Sequence, residues 1–162
     1  MEFSTTRFGT VSISDESILS FPSGLIGFTH HTKFALLTDE RGLVYQWLQS
    51  VDDGGLAFVV VHPALINSEY HVEVQDDALA ELNFQEGDLV ELFAIVTIPK
   101  EEPEKATVNL QGPIVVNFGK NIGKQIILNE SYPLRYPLIQ KPETSVEATN
   151  PESPEVVSTE SF

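Results

Sequence analysis

The strictest constraint in this chain is a run of period two. Over residues 89–98, Val90, Leu92, Ala94, Val96 and Ile98 are all apolar, and the intervening set includes Glu91 and Thr97. Side chains alternate across a strand, so this spacing predicts a strand with the first set as its core face. Residues 70–74 repeat the pattern, with Tyr70, Val72 and Val74 on one side and His71 and Glu73 on the other. Residues 34–37, 45–49, 56–61, 113–118 and 125–128 are short, rich in β-branched or aromatic residues, and bounded by Gly, Pro, Asn or Asp. These features predict further strands. Residues 120–124 read as a hairpin loop between the last two. One helix is expected after Asp76 and Asp77, whose carboxylates suit a first turn. Leu79, Leu82 and Phe84 would face inward there, and Gly87 would end it. Roughly nine short strands with one or two short helices predict a mainly β fold, a small antiparallel β-barrel-like or sandwich domain.

The chain has 162 residues, which suits one domain. Composition divides it into a folded body over residues 1–140 and an acidic tail over 141–162. The tail holds Pro142, Pro151 and Pro154, many Ser and Thr, and five glutamates against Lys141 alone. Its apolar residues have no period, which predicts disorder.

Net charge is −15, from 9 Lys+Arg against 24 Asp+Glu. Within the body the excess is local. Residues 39–91 hold twelve acids against Arg41, a net of −11, and the flanking parts of the body sum to zero. Such a surface repels phosphates, so direct nucleic-acid and anionic-membrane binding are disfavoured and a basic protein partner is favoured. Cysteine is absent, which removes disulfides, thiolate zinc sites and cysteine nucleophiles, and fits a reducing cytoplasm. The apolar stretches 56–61 and 92–98 fall far short of the ~20 residues of a membrane helix.

Chemistry-bearing patterns are sparse. No Gly-x-Ser-x-Gly elbow, Walker-type loop or dinucleotide glycine motif occurs. Asp52-Asp53-Gly54-Gly55 lacks the spacing of a calcium loop and reads as a turn. Glu69, His71 and Glu73 would share one face of a strand, the basis of an alternative reading as a metal-dependent hydrolase. Same-face neighbours on one strand are ~7 Å apart, too far to chelate unaided, so a solvated face is the plainer reading. No metal and no cofactor is expected. Trp47 reads as core first and contact second.

Several segments, taken in order, resemble the FliW family of bacterial flagellar assembly factors. They are Thr6-Arg7-Phe8-Gly9, then Phe21-Pro22-Ser23-Gly24-Leu25-Ile26-Gly27-Phe28, Phe34-Ala35-Leu36-Leu37, Leu48-Gln49-Ser50-Val51 and Leu56-Ala57-Phe58-Val59-Val60. Asn109-Leu110-Gln111-Gly112-Pro113-Ile114-Val115-Val116-Asn117 and Gly123-Lys124-Gln125-Ile126-Ile127-Leu128 follow, with Gly112 where the family usually has Ala. The resemblance spans residues 3–139 and implies a small β-barrel-like fold and a cytoplasmic, non-enzymatic regulator, taken to be monomeric alone. It implies two protein partners, flagellin and the RNA-binding translational regulator CsrA. Flagellin would occupy the protein until exported, after which the freed protein would sequester CsrA and raise flagellin translation. It favours antagonism from beside the RNA surface over direct occlusion of it. The alternative from charge alone is an acidic nucleic-acid mimic acting on some other basic protein. Charge clustering nominates Asp52, Asp53, Glu69, Glu73, Asp76, Asp77 and Glu81 for the basic partner, with Gln49 and Ser50 as polar contacts. Pro22, Gly24, Gly27, Asn109 and Pro113 read as structural, at turns and strand starts.

Overall fold

The computed structural model describes residues 1–38, 45–128 and 132–138. The expected tail over 141–162, and Asp39, Glu40 and Arg41 of the acidic block, lie outside the described residues. Eleven strands and one α-helix are present among them. In chain order they are β1 (Glu2–Thr5), β2 (Gly9–Ser12), β3 (Leu19–Ser20), β4 (Lys33–Thr38), β5 (Gln46–Ser50), β6 (Ala57–Val61), α1 (Asp76–Glu81), β7 (Val90–Thr97), β8 (Thr107–Val108), β9 (Ile114–Asn117), β10 (Ile122–Gln125) and β11 (Tyr136–Pro137).

Strands β7, β6, β5, β4, β3, β10 and β9 are hydrogen-bonded in that order, and β9 pairs back onto β7. Seven strands thus close into a barrel, which leaves no free sheet edge along the closed stretches. Every pairing is antiparallel except β3 with β10, where Ile122 lies opposite Ser20. Strands β8 and β11 extend the sheet outside the ring, and β1–β2 form a separate hairpin.

Two apolar clusters result. Leu19, Phe21, Phe34, Leu48, Phe58, Val60, Phe93, Ile114 and Val116 form the barrel interior, drawn from strands all round the ring. Phe21 is fully buried and meets Phe34 edge-on, ring centroids 5.4 Å apart. Trp47, Val59, Val61, Ala94, Val96 and Val108 form a second cluster on the outer wall. That wall is covered by Phe8 of the N-terminal hairpin, by Ile66, Tyr70 and Val72, and by Tyr132, Tyr136 and Leu138. The expectation for residues 89–98 is therefore extended. Ala94 and Val96 are buried as predicted, but Phe93 and Ile95 on the opposite face pack into the interior, so the strand is dry on both sides for much of its length.

Residues 70–74 are not a strand. Their burial alternates, but no ladder forms. The segment is held instead by side chains. The Tyr70 hydroxyl donates to the Leu110 carbonyl at 2.6 Å, and the His71 amide donates to the Tyr132 hydroxyl at 3.1 Å. Burial, with Tyr132 packed 4.5 Å from its ring, pushes the Tyr70 phenol above its ordinary range and keeps it a donor. The last hairpin is also shifted. Its turn spans residues 118–121, with Asn121 in the left-handed region at φ 56°, so the strand occupies Ile122–Gln125 rather than 125–128.

Helix α1 sits where expected, with different ends. Gln75 is its N-cap, without a side-chain cap bond. The helix stops at Asn83, φ 54°, not at Gly87. The Phe84 amide reaches the Leu79 carbonyl at 3.1 Å, and the Asn83 amide reaches Ala80 at 3.0 Å, the paired bonds of a Schellman stop. Leu82 is fully buried, whereas Phe84 turns outward and is 39% exposed.

A polar node ties this helix to the barrel. Buried Asn117 donates to the Leu82 carbonyl and to Asp88, both at 3.0 Å, and its own oxygen accepts from the Gly119 amide at 2.9 Å. Lys120 closes on Asp88 at 2.9 Å. Hydrogen bonds from Lys120, then Asn117, then the Gln85 amide hold the Asp88 carboxyl down to about 2. A depressed carboxylate stabilises the fold above its unfolded pKa, and that contribution disappears as pH falls through the folded value. Asp88→Asn is therefore expected to destabilise the protein at pH 6 and to match it near pH 2. Urea unfolding of both proteins across pH 2–6 checks this, and a gap independent of pH would contradict it.

Candidate functional site

The acidic residues nominated from charge are all exposed, but they occupy two places. Asp52 and Asp53 stand on the β5–β6 turn. There the Asp53 carboxylate accepts from the Gly55 amide at 3.0 Å, and the Gly54 carbonyl accepts from the Thr6 amide of the N-terminal hairpin at 3.0 Å. Glu69, Glu73, Asp76, Asp77 and Glu81 follow one another along the segment that runs from just before the Tyr70 anchor into α1. This segment is tethered beside β9 and β10. Glu81 pairs with Lys124 of β10 at 2.9 Å, and Leu82 accepts from Asn117 of β9. In the sheet order β7 separates β6 from β9, so turn and helix belong to different sectors of the barrel.

Gln49 and Ser50 do not join either group as displayed contacts, and that expectation is corrected. Both are fully buried. The Gln49 amide donates to the Ser50, Gly54 and Leu56 carbonyls at 3.0, 3.2 and 3.2 Å, and the Ser50 hydroxyl accepts from the Asp53 amide at 3.0 Å. The β5–β6 turn points carbonyls and the Asp53 amide inward, and these two side chains add a donor and an acceptor to the backbone bonds already there. They brace the turn that carries Asp52 and Asp53.

Glu69, His71 and Glu73 are not on a strand, and no three His, Asp or Glu side chains among the described residues are grouped to hold a metal ion. Trp47 is buried at 6% exposure. The Arg7 guanidinium lies 4.4 Å from its ring centroid and Phe8 meets it edge-on, which pins the N-terminal hairpin to the outer wall.

The opposite feature is an uncharged end that charge reasoning passed over. The segments 22–28 and 109–113 meet through Gln125. Its side-chain oxygen accepts from the Ile26 amide at 2.9 Å, and its nitrogen donates to the Gly112 carbonyl at 2.8 Å. A methyl at position 112 would sit 3.2 Å from the Asn109 and Gln125 side-chain nitrogens, so Gly112 eases the approach of Gln125. Gly24, at φ +68°, has no room for a side chain against the Phe28 and Thr29 backbone, which makes it obligatory in this loop. The loop leaves Ile26 56% and Phe28 37% exposed, and Ile127 beside it is 63% exposed. Two apolar residues between glycines, and the middle of Ile126-Ile127-Leu128, were the available signals for this site.

A family model, that of the FliW protein, matches residues 2–138. The chain belongs to the FliW family. It is 40% identical over 141 residues to the flagellar assembly factor FliW of Leptospira interrogans serovar Lai, covering 86% of this chain and 94% of that one. The corresponding protein of Thermotoga maritima is 39% identical over 141 residues, 86% and 95% of the two chains. A crystal structure of the flagellar assembly factor FliW superposes with a TM-score of 0.80 at 32% identity, covering 90% of this chain and all of that one. The FliW barrel is thus shared, and three of the segments that carried the resemblance, 21–28, 109–117 and 123–128, build its uncharged end. No helix among the described residues is long and apolar enough to cross a membrane.

Proposed function

We propose that this FliW-family protein is a non-enzymatic regulator in flagellar assembly that binds flagellin and, when free of it, a CsrA-type translational regulator. The observation that carries the second partner is the exposed acidic run from Glu69 to Glu81 on a chain of net charge −15. An RNA-binding regulator presents a basic surface, so the two proteins attract over a Debye length before they touch. The acidic field beside a docked regulator would also repel RNA phosphates without covering the RNA site, in keeping with non-competitive antagonism. A regulator that acts on the translation of flagellin would work in the cytoplasm, which is where this reading puts the protein.

The test is a calorimetric titration with CsrA, repeated with flagellin present and at two salt concentrations. Binding that weakens as salt rises and is suppressed by flagellin is expected. A regulator that fails to bind at low salt would sink the reading.

A further inference from the structure

The uncharged end carries two backbone amides that have no partner among the described residues. Past Gln125 the chain continues alongside the start of β9: the Ile126 amide donates to the Pro113 carbonyl at 3.0 Å, and the Leu128 amide to Gln111 at 2.8 Å. Alternate residues of an extended chain point their amides to opposite sides. The amides of Gln125 and Ile127 therefore point away from β9, towards the side where β3 pairs with β10 only at Ile122. Neither amide donates to any backbone or side-chain group among the described residues. The edge is flanked by exposed Ile127 and Ile26.

Charge sets this place apart from the rest of the molecule. Residues 17–32, 106–119 and 125–129 contain no Asp, Glu, Lys or Arg. On a protein of net charge −15, these uncharged segments bring together a neutral, apolar site with two main-chain donors that have no partner among the described residues. Edges of this kind are normally blunted by charge or proline. Here both devices are missing at positions 125–128.

We infer that the 125–128 edge docks an extended, uncharged, apolar segment of a partner polypeptide, which adds as a strand. Main-chain bonds to Gln125 and Ile127 give the register, and Ile26 and Ile127 cover the partner's apolar side chains. This site is distinct from the acidic run and insensitive to salt. Resting on the two-partner reading above, the inference assigns the edge to flagellin and the acidic run to CsrA.

The test uses the full chain, purified flagellin and purified CsrA. Hydrogen exchange should show the Gln125 and Ile127 amides exchanging freely in the isolated protein and protected on adding flagellin. Ile26→Asp and Ile127→Asp, both at exposed positions, should each weaken flagellin binding about tenfold or more at low and high salt while leaving CsrA affinity unchanged. Flagellin that binds both variants normally, or leaves the two amides unprotected, would overturn the edge assignment alone. Flagellin that does not bind the unaltered chain would overturn the two-partner reading and this assignment with it.

Discussion

Phe21→Ala is expected to lower the unfolding free energy by about 3–5 kcal/mol, the range for truncating a fully buried Phe where neighbours relax only partly. Phe21 is 0% exposed and sits where three conditions meet. Its ring packs edge-on against Phe34. Its face fills the space above Gly123, where even a Cβ would collide with the ring. Its backbone also anchors the following loop: the Phe21 amide donates to Thr32 at 2.7 Å and its carbonyl accepts from Gly24 at 2.7 Å. Removing the ring leaves a cavity next to a glycine, which has no side chain to move into it. The loss is a large fraction of the about 5–15 kcal/mol that holds an ordinary domain folded. The single Trp47 lies on the outer wall, away from the mutated ring, so its fluorescence reports global unfolding. Urea melts of the two proteins give the difference, and a cost below about 1 kcal/mol would mean that the barrel interior is not sealed by this residue.

Much of the barrel was legible because its strands obey period two and end at Gly, Pro, Asn or Asp. What period two cannot report is how many faces are dry. Residues 89–98 were read with one core face, yet Phe93 faces the interior while Ala94 and Val96 face a wall covered by distant segments. That cover depends on contacts such as Tyr70 with Leu110, forty residues apart, which no local pattern encodes. The same contact explains the misread strand. Alternation at 70–74 arises from one side lying on the wall, and a ladder requires a neighbouring strand that is absent there.

The candidate site was legible unevenly, for a physical reason. Charge is visible in a sequence whatever the fold, so the exposed acids at 69–81 could be named. Polarity is a weaker guide. Gln49 and Ser50 look like surface residues and are fully buried, because backbone carbonyls and amides of the β5–β6 turn need them. Exposed apolar residues are the hardest to find, since Ile26 and Ile127 differ from core isoleucines only in position. Their exposure follows from Gly24 and Gly27, whose positive φ values turn the loop, and from the parity of an extended edge.

Reversing Glu69, Glu73, Asp76 and Asp77 to Lys is expected to slow association with CsrA about 10–100-fold at low salt, with a much smaller change in the dissociation rate. All four side chains are exposed and none forms a salt bridge with a described basic residue; the Asp77 carboxylate accepts from the Ala78 amide at 2.8 Å, so the reversal weakens the first turn of α1 while the barrel stays folded. The exchange changes the charge by eight units, from −15 to −7, within one segment. Steering depends on this local field, so the effect should shrink as added salt shortens the Debye length below ~10 Å. Glu81 is a useful contrast. Its pairing with Lys124 already neutralises part of its charge, and Glu81→Gln should change the rate by less than any of the four reversals. Asp52→Lys with Asp53→Lys provides a second contrast, because those residues belong to another sector of the barrel. Stopped-flow association rates at two ionic strengths distinguish the cases. Equal slowing by the turn pair and by the four helix-side reversals would show that net charge alone steers CsrA. Unchanged rates at low salt in the fourfold variant would remove the acidic run as its docking surface.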